Sequence, residues 1–369
     1  MDFSGLIVLG GIFSYVGFTV YVANQVDAAH RIQTAPAYLP SAHAPAGGFD
    51  RSTLLRWLLY GLVGMIFMLG LVVLQTAFFG EMAQDLQQEL PGSPLPQISL
   101  TAGGITFALA LAASFASFRL IASETLRERL QRFLARWGGH FNATSQVHLT
   151  AAVLMLVVAV YVIVNFVLQG GIEGVAQDIQ TNGIEPGDVV FQGVVEVVVT
   201  LLGVGLAIRR GLPETLERLG LRWPTREDLV WGVGVGVGFY FASQLFFAVW
   251  LALTSPDTLT EQLAASSELN MAFATLPLAF ILSTSAALGE EIWIRGGLQP
   301  IFGLVVSSIF FATLHTQVAL TVGTLIMFVV SLGLGWLRLR HSTSASIIAH
   351  FCFNFIQLAL LALAVEGTS

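Results

Sequence analysis

Long apolar stretches separated by short polar connections run through the whole chain. We predict ten membrane-crossing segments from this pattern, at residues 3–23, 54–79, 100–121, 149–169, 189–208, 229–254, 271–298, 303–316, 318–337 and 344–364. Most of these are about 20 residues long, the length that a helix needs to cross a hydrocarbon layer of about 30 Å. The pattern therefore predicts an all-α fold, a polytopic transmembrane helical bundle of about ten spans.

The composition supports a membrane protein and excludes several function classes. Hydrophobic residues make up 55% of the 369 residues and charged residues only 11%, less than half of the charged share of a typical soluble domain. The single cysteine, Cys352, excludes a disulfide framework. All 16 basic residues are arginine, which excludes a lysine base, and the net charge of -7 argues against nucleic acid as a partner.

The arginines are distributed unevenly among the connections between the segments. All 16 lie in or beside the first, third, fifth, seventh and ninth connections, whereas intervening connections carry acidic residues and no arginine. Because cytoplasmic loops collect arginine, we expect an integral membrane protein with both termini outside. The use of arginine at all basic positions suggests a GC-rich coding sequence, which favours a prokaryotic source. We therefore expect the protein in a prokaryotic cell membrane. In the third connection, an amphipathic helix is predicted to begin after Ser123 and to lie on the membrane.

Polar side chains inside the apolar segments mark the candidate functional positions. An ionisable group costs several kcal/mol in lipid unless it is neutralised or paired, so such residues are functional candidates. The candidates are Glu196, Glu290, Glu291, Arg295, His315, His350 and Asn354. For Glu196, alone in the fifth segment, we prefer protonation or pairing with Asn165 to a catalytic role.

Helical spacing assigns different roles to the two neighbouring glutamates. Glu291 and Arg295 are four residues apart with the acid first, the favoured order for an ion pair within a helix. Glu290 points about 100° away from Glu291, so it stays available for chemistry. His350 and Asn354 share one helix face. At about 1.5 Å of rise per residue, these side chains converge in the cytoplasmic half of the membrane. A polar cluster that only holds helices together is the structural alternative.

These residue types fit hydrolysis of an amide bond inside the membrane. A carboxylate among apolar neighbours is suited to take a proton from water, the role that we assign to Glu290. His315 positions the same water or relays its proton, and His350 and Asn354 donate hydrogen bonds to the oxyanion. Three other hydrolytic mechanisms are excluded by the sequence. A zinc metalloprotease helix needs HExxH, a serine–lysine dyad needs a lysine, and an intramembrane aspartyl dyad needs aspartates in apolar segments, and the chain has none of these. A serine–histidine pair stays open, although no GxSxG turn marks one.

Three short motifs near the end of the chain together resemble a known family. They are Glu290-Glu291-x-x-x-Arg295, Phe311-x-x-x-His315 and His350-x-x-x-Asn354, in that order. The patterns EExxxR, FxxxH and HxxxN are typical of the CPBP intramembrane proteases, named for CAAX proteases and bacteriocin-processing enzymes and also called Abi proteins. The resemblance covers about residues 219–364. One departure is that the stretch between the first two motifs is a few residues shorter than the family pattern, which affects the expected lengths of the seventh and eighth helices.

The resemblance implies a division of the chain and a role for each motif residue. Residues 1–210 would form an N-terminal transmembrane region of about five helices, and residues 211–369 a CPBP-type intramembrane protease domain. The implied roles are Glu290 as the water-activating base, Glu291 as its neighbour paired with Arg295, His315 in the water site, and His350 and Asn354 in the oxyanion site.

Metal use is open between two hypotheses. Glu290, His315 and His350 would suit a three-ligand catalytic zinc site. The second carboxylate and Asn354 suit a mechanism without metal equally well. We favour the metal-free mechanism and expect no cofactor.

The resemblance also implies the activity and the class of substrate. We expect a CAAX prenyl endopeptidase-like peptidase that cleaves a membrane-embedded or lipidated peptide or protein in the lipid bilayer. One alternative is a proton-coupled transporter in which the two glutamates and two histidines form a relay, although the inverted repeats of such transporters are not visible. A non-catalytic bacteriocin-immunity or scaffold protein is the other alternative.

Overall fold

The computed structural model describes residues 3–33, 50–87, 98–182, 185–253, 271, 274–315 and 322–366, and regular structure in these ranges is helical. Its elements are α1 (Phe3–Gln33), α2 (Arg51–Gln87), α3 (Leu100–Ala122), α4 (Glu124–Ala135), α5 (Gln146–Leu168), α6 (Gly171–Asn182), α7 (Pro186–Val204), α8 (Leu212–Leu219), α9 (Arg226–Leu253), α10 (Leu276–Glu290), a π-helical segment (Glu291–Leu298), α11 (Gln299–Phe302), α12 (Leu304–Leu314), α13 (Val322–Arg340) and α14 (Thr343–Glu366). The prediction of an all-α fold is confirmed.

The described part of the chain contains fewer candidate membrane spans than the ten that the sequence predicts. Within the described ranges, seven helices are long and apolar enough to cross a membrane, namely α2, α3, α5, α7, α9, α13 and α14. They correspond to the predicted segments two to six, nine and ten, and the start of the ninth, residues 318–321, lies outside the described residues. The eighth segment is wrong as a span, because α12 has 11 residues and extends only about 16 Å. The seventh, residues 271–298, is divided between α10 and the π-helical segment, and residues 272 and 273 lie outside the described residues.

The largest buried apolar cluster joins the N-terminal helices to the C-terminal part of the chain. It includes Leu59 of α2 and Val153 of α5, and it continues into Ile294 of the π-helical segment and Phe311 of α12. The N-terminal helices therefore support the segment that carries the candidate chemistry. The proposed domain boundary near residue 210 stays a prediction.

The arginine-bearing connections meet at one end of the bundle, as their alternation along the chain predicted. Asp27, near the end of α1, accepts a hydrogen bond of 2.6 Å from Ser145 Oγ and lies 3.7 Å from Arg209 Nη1. The seventh connection contacts the third, where His140 N donates to Pro300 O at 3.0 Å. The ninth contacts the fifth, where Ser344 Oγ donates to Arg222 O at 2.7 Å.

The amphipathic helix predicted after Ser123 is present as α4. Ser123 Oγ accepts a hydrogen bond of 3.3 Å from the backbone N–H of Leu126, which is the N-cap interaction that the sequence predicted. Of the apolar residues along α4, Leu134 is buried and Phe133 is exposed. One side of this helix thus faces the bundle, and an apolar side chain remains on its outer surface.

Gly303, which connects α11 to α12, packs against the backbone of the third connection. Its φ is +84°, and an added Cβ would lie 2.5 Å from Trp137 O. We expect Gly303→Ala to lower the free energy of unfolding by about 1–3 kcal/mol, through left-handed strain and overpacking. Gly138→Ala is the control, because Gly138 has a φ of +76° but nothing within 4 Å of an added Cβ. Thermal unfolding in detergent measures both, and equal losses would contradict a packing role for Gly303.

Candidate active site

The chain changes helix type where the first motif begins. Glu290 is the last residue of α10, and Glu291 is the first residue of the π-helical segment. The backbone N–H of Gln299 donates to Ile294 O, five residues earlier, which is the hydrogen bond that defines a π-helix. Such segments are rare, and they occur frequently at functional sites. Sequence spacing did not indicate this change.

Glu291 and Arg295 form a buried ion pair, as their spacing predicted. Arg295 Nε lies 3.1 Å from Glu291 Oε2, and both side chains are 0% exposed. Arg295 Nη2 also donates a hydrogen bond of 3.0 Å to Ser331 Oγ of α13. The guanidinium carbon lies 4.9 Å from the centre of the Phe311 ring, a cation–π distance. The arginine therefore links three elements around one carboxylate.

His350 of α14 binds the other oxygen of the same carboxylate. Its Nδ1 lies 2.9 Å from Glu291 Oε1, and the His350 side chain is buried. A carboxylate oxygen in an ion pair can only accept, so Nδ1 of this ring carries a proton. The Glu291 carboxylate thus holds the imidazole in one orientation and leaves Nε2 as the ring atom available to a reactant.

Glu290 faces His315, at the end of α12, without a direct hydrogen bond. His315 Nε2 and Glu290 Oε2 are 4.0 Å apart, longer than a hydrogen bond. His315 Nδ1 lies 2.9 Å from Phe311 O, so Nδ1 carries the proton and Nε2 of the neutral ring is an acceptor. Glu290 Oε2 is buried and has no hydrogen-bond partner among the described residues. Two acceptors at this separation suit a single bridging donor such as water.

The contacts bring five of the six predicted site residues together. Glu291 contacts Arg295 and His350, and Glu290 faces His315. Asn354 lies one turn beyond His350 on α14, is half-buried and makes no hydrogen bond within the described part of the chain. Its predicted role in the oxyanion site therefore rests on its position on the helix.

Glu196 is an acidic residue at this site that the sequence interpretation did not place there. Its Oε1 accepts a hydrogen bond of 3.0 Å from Gln192 Nε2 on the same helix, which replaces the expected pairing with Asn165. Glu196 Oε2 lies against Gly289, the residue directly before Glu290. The available signal was the small residue directly before Glu290, which lets α7 approach α10 closely.

The close packing of α7 on α10 leads to a prediction for Gly289. An added Cβ at Gly289 would lie 2.9 Å from the Cα of Gly193, a backbone atom that cannot turn away. We expect Gly289→Ala to separate the two helices, to destabilise the protein by about 1–3 kcal/mol and to reduce its activity. Gly234→Ala in α9 is the matched control, because nothing lies within 4 Å of an added Cβ there. Unfolding midpoints would be compared, and an unchanged midpoint for Gly289→Ala would contradict the close contact.

A zinc site would need at least three ligand side chains directed at one point. Among the residues that the structure describes, no group of three or more His, Cys, Asp or Glu side chains is arranged to hold a metal ion. The zinc hypothesis and the metal-free hypothesis both stay predictions. We derive no step through a metal ion.

Comparison with known proteins supplies one match, in the part of the chain that carries the motifs. Residues 272–356 match the family model described as type II CAAX prenyl endopeptidase Rce1-like. The matched range contains all three motifs, from Glu290 to Asn354. No curated protein and no solved structure matches the chain.

Proposed function

We propose that this integral membrane protein is an endopeptidase that uses Glu290 to activate water, because residues 272–356 match the family model of type II CAAX prenyl endopeptidases. Its substrate is a membrane-associated or lipidated peptide or protein, and it cleaves one peptide bond. The observation that carries the mechanism is the 4.0 Å distance between two acceptor atoms, Glu290 Oε2 and His315 Nε2. The neighbouring carboxylate of Glu291 is held by Arg295 and His350.

The first step is attack by water on the peptide carbonyl. A water between Glu290 Oε2 and His315 Nε2 donates one hydrogen to each, which directs an oxygen lone pair at the carbonyl carbon. As the new O–C bond forms, Glu290 takes the proton from the water. The carbonyl oxygen becomes an oxyanion.

The second step stabilises this oxyanion and releases the amine. His350, with Nδ1–H bound to Glu291 and a second proton on Nε2, donates its Nε2–H to the oxyanion together with the amide of Asn354. The C–N bond then breaks, and Glu290 returns its proton to the leaving nitrogen. The products are a carboxylic acid and an amine, and Glu290 is again a carboxylate.

The two neighbouring glutamates differ in what surrounds them. Oε1 of Glu291 contacts His350 Nδ1, and Oε2 lies 3.1 Å from Arg295 Nε, so this carboxylate is held between two basic side chains. The side chain of Glu290 is 20% exposed and faces His315, and Glu196 lies against the neighbouring Gly289. Glu290 is therefore the carboxylate that can exchange a proton with a reactant.

The orientation of the site follows from the arginine distribution. We place both termini outside and the arginine-bearing end of the bundle in the cytoplasm. The active site then lies in the cytoplasmic half of the membrane. The contacts between those connections at one end of the bundle support this orientation.

The proposed activity is tested with purified full-length protein in liposomes. Quenched lipopeptides, prenylated and unprenylated, would report cleavage, and mass spectrometry of the products would identify the bond. Cleavage by the wild-type protein that is lost in Glu290→Gln would support the protease. Proton-coupled flux without cleavage would support the transporter instead, and neither activity would support a scaffold.

A metal-free mechanism predicts that chelators do not change the rate. We expect cleavage to be the same before and after treatment with EDTA or 1,10-phenanthroline, because Glu290 and His315 activate water without a metal ion. The same treatment of a known zinc protease in the same liposomes is the control. Loss of cleavage that zinc restores would show that the metal-free mechanism is wrong.

A further inference from the structure

A cavity of about 240 Å³ lies between the N-terminal helices and the π-helical segment, apart from the catalytic side chains. Its walls come from α1, α5, α7, α8 and the connections between them. Trp293 and Gly297 form part of the wall, whereas none of the six predicted site residues lines it. The cavity is therefore a separate site that shares one helical segment with the active site.

The charged residues that line this cavity are mostly basic. Arg209, Arg210 and Arg218 line it, against Asp27 as the acidic lining residue. Asp27 already accepts hydrogen bonds from Ser145 Oγ at 2.6 Å and from the backbone N–H of Gln146 at 2.7 Å. Asp27 Oδ2 also lies 3.7 Å from Arg209 Nη1, so Asp27 pairs with one of the three arginines, and Arg210 and Arg218 give the lining its surplus of positive charge.

Arg218 is held in the wall by the segment that carries the first motif. Its Nη1 donates a hydrogen bond of 3.0 Å to the carbonyl oxygen of Gly296. Burial and then the like charges of Arg210, Arg338 and Arg209 lower the pKa of Arg218 to about 10. A bound anion would offset this repulsion between guanidinium groups.

The lining of the cavity differs between its surface end and the rest of its wall. Exposed residues, including Asn142 and Thr144, lie at the end of the bundle where the arginine-bearing connections meet. Apolar residues such as Leu154 and Val199 line the deeper wall. The cavity thus combines basic groups with a polar end and an apolar wall, which suits a headgroup pocket between transmembrane helices.

We propose that this cavity binds a phosphate group, which is either free phosphate or the headgroup of an anionic lipid. The guanidinium fork matches the oxygens of phosphate, and three arginines supply the charge that a phosphate needs. The volume accommodates a phosphate group together with the first atoms of its substituent. This proposal does not depend on the proposed protease activity.

Binding is tested by the thermal unfolding midpoint of the purified full-length protein. Inorganic phosphate would be titrated in detergent against chloride at matched ionic strength. In parallel, the protein would be placed in phosphatidylcholine vesicles with and without phosphatidylglycerol. We expect a saturable rise of the midpoint, because a ligand that binds only the folded state stabilises it. We expect Arg218→Gln to weaken the apparent affinity at least tenfold.

The control variant is Arg132→Gln, which removes an exposed arginine of α4 that does not line the cavity. If Arg218→Gln does not fold, Arg210→Gln makes the same test and keeps the bond to Gly296. A response to phosphate supports the free ion, and a response to phosphatidylglycerol alone supports the lipid. No response to either anion, or equal loss of the response in Arg132→Gln, would overturn the proposal.

Discussion

Glu290→Gln is expected to reduce peptide cleavage by roughly 10²- to 10⁴-fold, the contribution of a positioned general base. The amide has nearly the shape of the carboxylate but cannot take a proton from water. Among the residues that the structure describes, Glu290 is in no ion pair with arginine, and its side chain is partly exposed, so the substitution leaves the buried network of Glu291 intact. We therefore expect the unfolding midpoint to stay close to that of the wild-type protein.

The measurement is the initial rate of lipopeptide cleavage in liposomes, together with the unfolding midpoint of each variant. Glu128→Gln, an exposed position on α4, is the matched control for loss of one carboxylate. Wild-type cleavage by Glu290→Gln would remove Glu290 from the mechanism and would direct attention to Glu196. Loss of cleavage together with loss of the fold would indicate a structural role instead.

Arg295→Met is expected to lower the free energy of unfolding by about 3–5 kcal/mol, the loss seen when one partner of a buried ion pair is removed. The substitution keeps most of the side-chain volume but leaves the charge of Glu291 buried, with His350 as its remaining ionic partner. It also removes the donor to Ser331. Cleavage should be lost as well, because the orientation of His350 depends on the Glu291 carboxylate.

A second ion pair of the same length provides the comparison for Arg295. Arg222 Nη2 lies 3.1 Å from Asp228 Oδ1, but the arginine side chain is 52% exposed. In Arg222→Met, Asp228 keeps its hydrogen bonds from Thr225 and Ser342. This substitution should therefore lower the free energy of unfolding by about 1 kcal/mol or less. Unfolding in mixed micelles would measure both variants. Equal losses would mean that burial of the Glu291 network does not determine the stability.

Local features of the sequence were sufficient for much of the architecture. The length of an apolar segment and the position of an N-cap depend on neighbouring residues, and seven spans and the start of α4 at Ser123 were predicted correctly. The pairing of Glu291 with Arg295 was predicted for the same reason, since both residues lie within one helical turn.

Other features depend on contacts between residues far apart in the chain. The π-helical segment and the short α12 break a continuous apolar pattern, and hydrophobicity alone does not show where the backbone changes its hydrogen bonds. Glu196 reaches the active site because Gly193 and Gly289 let two helices approach closely. Its position 94 residues before Glu290 gave no indication of this contact.

The sequence by itself determined the membrane-embedded helical class, the three motifs and the chemistry that their side chains allow. Only the tertiary structure decided that His350 binds the carboxylate of Glu291, that Glu290 faces His315, and that three arginines line one cavity. The physical reason is that hydrophobic length and helical spacing act within one segment. Burial, by contrast, and the sharing of charges arise only where different helices pack together.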